Sequence, residues 1–215
     1  MKKQLFLVLF ALGVCFSILS CTEANIEENN SLNAYSDVGK EVVTNFDELL
    51  SQEEDAREVD YWYTLEDGDS SSVFLLKNEF ISENAYFYIS KMEVILSDES
   101  KSLFIMENEI REIQNLAIAN LSEKDLMDVM NYSVVANSML EYFDSSESAR
   151  FGWKKFTKIC KIVGSAAASA VAGGAVGFFA GGPAVATAAA IGSAVSGAYA
   201  AYKSDKVEVR GSANY

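Results

Sequence analysis

Between Ser31 and Arg150 apolar residues recur three and four positions apart, the spacing of one face of an amphipathic helix. Val38, Val42, Phe46 and Leu49 share such a face, with Ser36 placed to cap the helix that carries them. Leu103, Met106, Ile110, Ile113 and Ala117 form a second stripe, separated by Glu107, Glu109, Arg111 and Glu112. Ser122-Glu123-Lys124-Asp125 has the form of a capping box and opens a further helix, whose apolar face is Leu126, Val129, Ala136, Leu140 and Phe143. Tyr61 to Leu96 is less regular. Tyr61-Trp62-Tyr63 and Ala85-Tyr86-Phe87-Tyr88-Ile89 have the composition of strands, whereas Val73, Leu76, Phe80 and Phe87 fit a helix. The absence of proline from this body favours helix here too. The aromatic residues of the two clusters are assigned to the core, lining of a groove being the other use open to them.

The pattern changes at Phe151. Over residues 151–161 Lys154, Lys155, Lys158 and Lys161 alternate with aromatic and apolar residues. On a helix Lys154, Lys158 and Lys161 share one face, and Trp153, Phe156 and Cys160 gather on another, the arrangement of an interfacial amphipathic segment. Residues 162–202 then run 41 positions without a formal charge, 16 of them Ala, 8 Gly and 4 Ser. That is too long for one membrane span of roughly 20 residues and suits two. Gly181-Gly182-Pro183 divides the run and supplies the turn, leaving arms Ile162–Ala180 and Ala184–Tyr202, each roughly 28 Å long as a helix. Gly173, Gly177 and Gly181 repeat every four residues on the first arm, and Ala188, Gly192, Ser196 and Ala200 on the second. Small residues at that spacing let helix backbones approach closely and favour packing within the hairpin or self-association in lipid. Lys161 at one end, and Tyr202 and Lys203 at the other, are placed to meet headgroups on the same side. Because Ala and Gly bury little area, the alternative is a hairpin packed on its own acidic body outside lipid.

The N-terminus carries an address. Met1-Lys2-Lys3 precedes an apolar stretch, Leu5 to Leu19, that is too short for a stable span and reads as a secretory signal over residues 1–20. Residues 21–35 follow as a polar, acidic tether that cannot bury enough surface to fold. The predicted organisation is thus signal 1–20, tether 21–35, acidic helical body 36–150, cationic segment 151–161, hairpin 162–202 and polar tail 203–215. The fold class is mainly α, an acidic helical body followed by a Gly/Ala-rich helical hairpin.

Charge follows the same division. Thr22 to Arg150 holds 29 acidic and 8 basic residues, whereas Phe151 to Tyr215 holds 7 basic and 2 acidic. The acidic body argues against nucleic acid, which selects basic surfaces, and the cationic segment argues for anionic lipid as partner. The chain has no histidine, which removes the commonest general base and metal ligand and every Ser-His or Cys-His pair. Beyond the signal only Cys21 and Cys160 remain, so no disulfide framework is expected. Glu66-Asp67-Gly68-Asp69-Ser70-Ser71-Ser72 lacks the ligand spacing of a calcium loop and reads as a solvated acidic turn. No catalytic residue, metal site, cofactor or small-molecule substrate is evident, and the chain is not expected to be an enzyme.

Ile18-Leu19-Ser20-Cys21 resembles the lipobox of bacterial lipoproteins. The resemblance implies cleavage before Cys21 and lipidation of that residue, and Thr22 after it implies the outer membrane or cell surface. Ile18, in place of leucine, is a departure from the pattern. The lipobox together with Gly173, Gly177, Gly181, Gly192 and Ser196 is similar to the glycine-zipper outer-membrane lipoproteins of the 17 kDa surface antigen type, which are mostly structural. Gly152 to Lys203 resembles class II bacteriocins, cationic and aromatic at the start and then Gly/Ala-rich, and a hydrophobic hairpin is also the inserting element of pore-forming colicins. These resemblances imply a membrane-permeabilising hairpin masked by the acidic body, with a structural envelope lipoprotein as the alternative. The long acidic body departs from all of these families.

Overall fold

The structure is a computed structural model that describes residues 37–51, 63–64, 70–145, 153–204 and 208–209, with side chains from 37–51, 70–145 and 156–204. All belong to one unit, Asp37–Tyr215. The signal, the tether and the Ser36 cap lie outside the described residues, as do Glu66 to Asp69.

The fold is mainly α. Helix α1 spans residues 37–51 and buries Val38, Val42 and Phe46. Tyr63–Thr64 forms a two-residue strand, β1. Helices α2 (Ser71–Lys77), α3 (Glu83–Ser97), α4 (Leu103–Asn120) and α5 (Glu123–Ser145) follow, then α6 (Trp153–Gly181) and α7 (Pro183–Ser204). Strand β2, Glu208–Val209, pairs antiparallel with β1, Tyr63 opposite Val209. The ambiguous stretch is therefore helical over α2 and α3, while Tyr63 and Thr64 pair in a sheet with part of the polar tail.

Serine starts three of these helices. Ser70, Ser82 and Ser102 each accept a hydrogen bond from the backbone N–H three residues on, at 3.4, 3.2 and 3.3 Å, satisfying a donor the helix cannot. Helix α2 ends in a Schellman turn. Phe80 N–H donates to Leu75 O at 3.0 Å, Glu79 N–H donates to Leu76 O at 3.1 Å, and Phe80 packs back on Phe74. Glu79 takes the left-handed position of that turn, with φ 60°, where glycine is usual.

The stripe on α4 is buried at Leu103, Met106, Ile110 and Ala117, and Ile113 packs against the same core. Helix α5 is the centre of the molecule. Val129, Ala136, Leu140 and Phe143 are buried, yet so are Asp128, Met130, Asn131, Tyr132, Ser133, Val135, Asn137 and Met139. It has two interior faces because it is packed between the body and the hairpin. At its end Phe46 sits edge-on to Tyr142, Phe143 and Tyr202, and Tyr142 Oη donates to Asp47 Oδ1 at 2.6 Å, binding α1 to α5 and α7.

Candidate functional site

The hairpin is continuous with the cationic segment. Trp153 to Gly181 is one 29-residue helix, so the lysines extend the first arm rather than forming a separate element. The turn falls at Gly182, whose φ of 79° is open to glycine, and Pro183 occupies the first position of α7, where its missing N–H costs nothing. Gly182 N–H donates to Phe178 O, closing α6, and Ala186 N–H donates to Gly182 O, opening α7.

The two arms meet along small residues. A Cβ at Gly177 would lie 2.7 Å from Val185 O and 2.8 Å from Ala186 Cα, closer than side chains pack. A Cβ at Gly173 would collide with Ser193, and one at Gly197 with Ser169. Each arm thus carries a Ser-x-x-x-Gly pair, Ser169/Gly173 and Ser193/Gly197, and each serine fills the notch of the opposite glycine. A Cβ at Gly181 would press first on the Val185 side chain across the turn. The stripe of α7 against α6 is Ala186, Ala189, Ser193 and Gly197, which differs from the expected Ala188, Gly192 and Ser196. Ala188 and Gly192 are exposed, Ser196 is half-buried, and nothing lies within 4 Å of where a Gly192 Cβ would be. Two four-residue repeats coexist in so alanine-rich a helix, and the one containing serine and glycine permits the closer approach.

The outer face of α6 is not free. Ala166, Ala167, Ala168, Ala170, Val171 and Ala172 are fully buried. Gly174 faces the body, and a Cβ there would lie 2.8 Å from Asn131 Nδ2 on α5. Phe156–Gly181 and Pro183–Ser204 are long and apolar enough to cross a membrane by length and composition, and 78% and 67% of their most apolar windows are buried within the protein. The tip is the exception. Phe178 is 43% and Phe179 80% exposed, their rings edge to face, and Ala180, Gly181, Pro183 and Ala184 are exposed beside them.

The opposite end holds the polar residues. Lys158 Nζ lies 5.0 Å from the Tyr202 ring centroid and Lys203 Nζ 5.3 Å from that of Tyr199. The structure therefore gathers Lys158, Tyr202 and Lys203 at the open end of the hairpin. Lys161 turns instead towards a cleft on the body, and the side chains of Trp153, Lys154 and Lys155 lie outside the described residues. Cys21 does too.

Two polar features of the body have no counterpart in the sequence reading. Asp128, one helical turn before Asn131, is buried, and that burial, together with the charge of Asp125, pushes its carboxyl up to about 7 against the opposing pull of Lys124. Glu93 accepts hydrogen bonds from Ser70 Oγ, Ser71 N and Oγ, and Ser72 N and Oγ, at 2.5–3.3 Å. The serine run was legible only as part of an acidic turn, and nothing local marks a glutamate 21 residues on as its partner. Among the described residues no three His, Cys, Asp or Glu side chains gather as metal ligands.

Comparison of the chain with protein-family models, with curated proteins and with solved structures finds no match.

Proposed function

We propose that this chain is an exported bacterial envelope lipoprotein, anchored through Cys21 and without enzymatic activity, whose C-terminal hairpin is membrane-active and stored against the acidic body. The observation that supports this reading most is the contrast along α6 and α7: charge-free arms lie buried on the body, while Phe178 and Phe179 stand exposed at the tip. An exposed aromatic tip suits first contact with a bilayer, and the lysines of the opposite end suit anionic headgroups once the hairpin is released. Masking lets such a segment be carried through export without premature insertion.

The extent of burial favours a second reading, a structural envelope protein in which the hairpin is a permanent core element. A reversible lock separates the two. In the mature chain, with Cys21→Ser and Cys160→Ser, the pair Asn131→Cys and Gly174→Cys ties α5 to α6 when oxidised. The proposal expects dye release from anionic vesicles by the reduced form and not by the oxidised one. Equal release from both forms removes the masking, and release from neither leaves the structural reading.

A further inference from the structure

Asp128 is an acid buried without compensation. It is 4% exposed, on a helix packed between the body and the hairpin, and among the described residues its side chain forms no hydrogen bond or ion pair. One turn further along α5, Asn131 meets Gly174, so the carboxyl lies beside the interlock that holds α6. An ionised carboxylate without a partner is among the costliest groups to bury, whereas its neutral form is far cheaper.

Among the described residues, the elements packed on α5 bring no cation to this position. From α3, Ser82 and Asn84 reach α5 at Asp125, and from α4 Gln114 reaches it at Met130; all three are neutral. Helix α1 approaches further along, at Val134 and Ser138. Helices α6 and α7 carry no formal charge from Ile162 to Tyr202. The charges that reach Asp128 are two neighbours on α5 itself: Asp125 opposes its ionisation, and Lys124 favours it more weakly.

We infer that docking of the hairpin on the body is coupled to a proton: neutral Asp128 lets α6 close on α5, and ionisation of this carboxyl opens that face to water. Acid therefore tightens the fold at α6, and neutral medium loosens it. Once α6 lifts away, the carboxyl regains water and its ordinary value of 3.8. Each pH unit between there and about 7 then multiplies opening by up to about ten, and above that the effect levels off because both forms are ionised. The coupling concerns release of α6 from α5 and stands whether or not the released hairpin enters a bilayer.

Amide hydrogen exchange of the mature chain, followed by peptide mass and corrected for the intrinsic rate at each pH, reads this opening. Residues 166–174 report on α6, and residues 103–110 on α4 in the body. From pH 5 to pH 7 exchange of 166–174 in the wild type is expected to rise about tenfold or more. Asp128→Asn, neutral at every pH and close in shape, is expected to hold it flat. At pH 8 residues 103–110 of the wild type stay better protected than 166–174, because the hairpin lifts while the body stays folded. Lys124→Gln, at an exposed position, removes the one favourable charge and moves the level part of the profile to higher pH. It also carries the test should Asp128→Asn not fold. A rise in Asp128→Asn as steep as in the wild type, or identical profiles for the wild type and Lys124→Gln, overturns Asp128 as the group responsible. Equal protection of α4 and α6 in the wild type at pH 8 means that the hairpin opens only with the whole fold, and the proposal falls.

Discussion

Asn131 reaches into space that exists only because residue 174 has no side chain: a Cβ there would sit 2.8 Å from the amide nitrogen. This is where the acidic body and the hairpin interlock, one polar side chain of α5 against one glycine of α6. Gly174→Leu should therefore wedge the two layers apart. The expected cost is about 3 kcal/mol or more, the upper range for overpacking, because the obstacle lies between two helices. Chemical denaturation measures it. On the proposed function the variant should also bind anionic vesicles better than wild type, although it is less stable.

Asp128 predicts an unusual pH dependence. Burial raises its carboxyl from 3.8 to about 7, so between those values the folded state holds a proton that the unfolded chain has released. Its contribution is fully present near pH 4 and is lost as pH rises towards 7. Asp128→Asn keeps a neutral group of the same shape. It should leave stability near pH 4 unchanged and raise it at pH 8 by roughly 2–4 kcal/mol. Urea unfolding of wild type and variant across this range tests it, and parallel profiles would refute the assignment. Asp125 works in the other direction. Partial burial raises its carboxyl, but hydrogen bonds from Ser82, Asn84 and Ser122 outweigh it and hold the group below the usual range.

Two glycines of the hairpin should respond oppositely to the same methyl group. Gly177→Ala places a Cβ against backbone atoms of α7 that cannot yield, and a loss of about 1–3 kcal/mol is expected. Gly192→Ala projects into open space on an exposed helical surface and should gain about 0.5–1 kcal/mol from reduced backbone entropy. Thermal unfolding of both variants decides this. A loss at Gly192 as large as that at Gly177 would mean that the expected Ala188/Gly192/Ser196 stripe also carries a contact.

Glu79 holds a left-handed conformation at the end of α2. Glu79→Gly relieves the steric cost of a Cβ there, and a gain of about 1 kcal/mol is expected in equilibrium unfolding. Among the described residues the Glu79 side chain forms no hydrogen bond or ion pair that the substitution would remove, so any loss of stability would contradict the backbone account.

The helical class, the faces of α1 and α4, and the Gly-Gly-Pro turn could be read from the sequence because each rests on local periodicity or on residues with restricted backbone geometry. Ser122 and Asp125 do interact, but differently from a simple box: Ser122 Oγ donates to Asp125 Oδ2 at 3.1 Å, while Ser82 Oγ donates to Asp125 Oδ1 at 2.7 Å, joining the starts of α3 and α5. The second face of α5 was hidden because Asp128, Asn131 and Asn137 interrupt its apolar pattern, and only the arrival of the hairpin makes those positions interior. Along α7, periodicity offers two equivalent small stripes, and the choice between them depends on α6. The pairing of Glu93 with Ser70 to Ser72 joins residues far apart in the chain and left no local signature.

Of the 41 residues from Ile162 to Tyr202, 24 are alanine or glycine, already the two smallest side chains there are. Drift in this segment is consequently one-directional. Almost every replacement adds atoms, and at the buried positions those atoms have nowhere to go except between neighbouring helices. A core of leucines can trade volume among its members and keep its total, whereas this one has no surplus to redistribute.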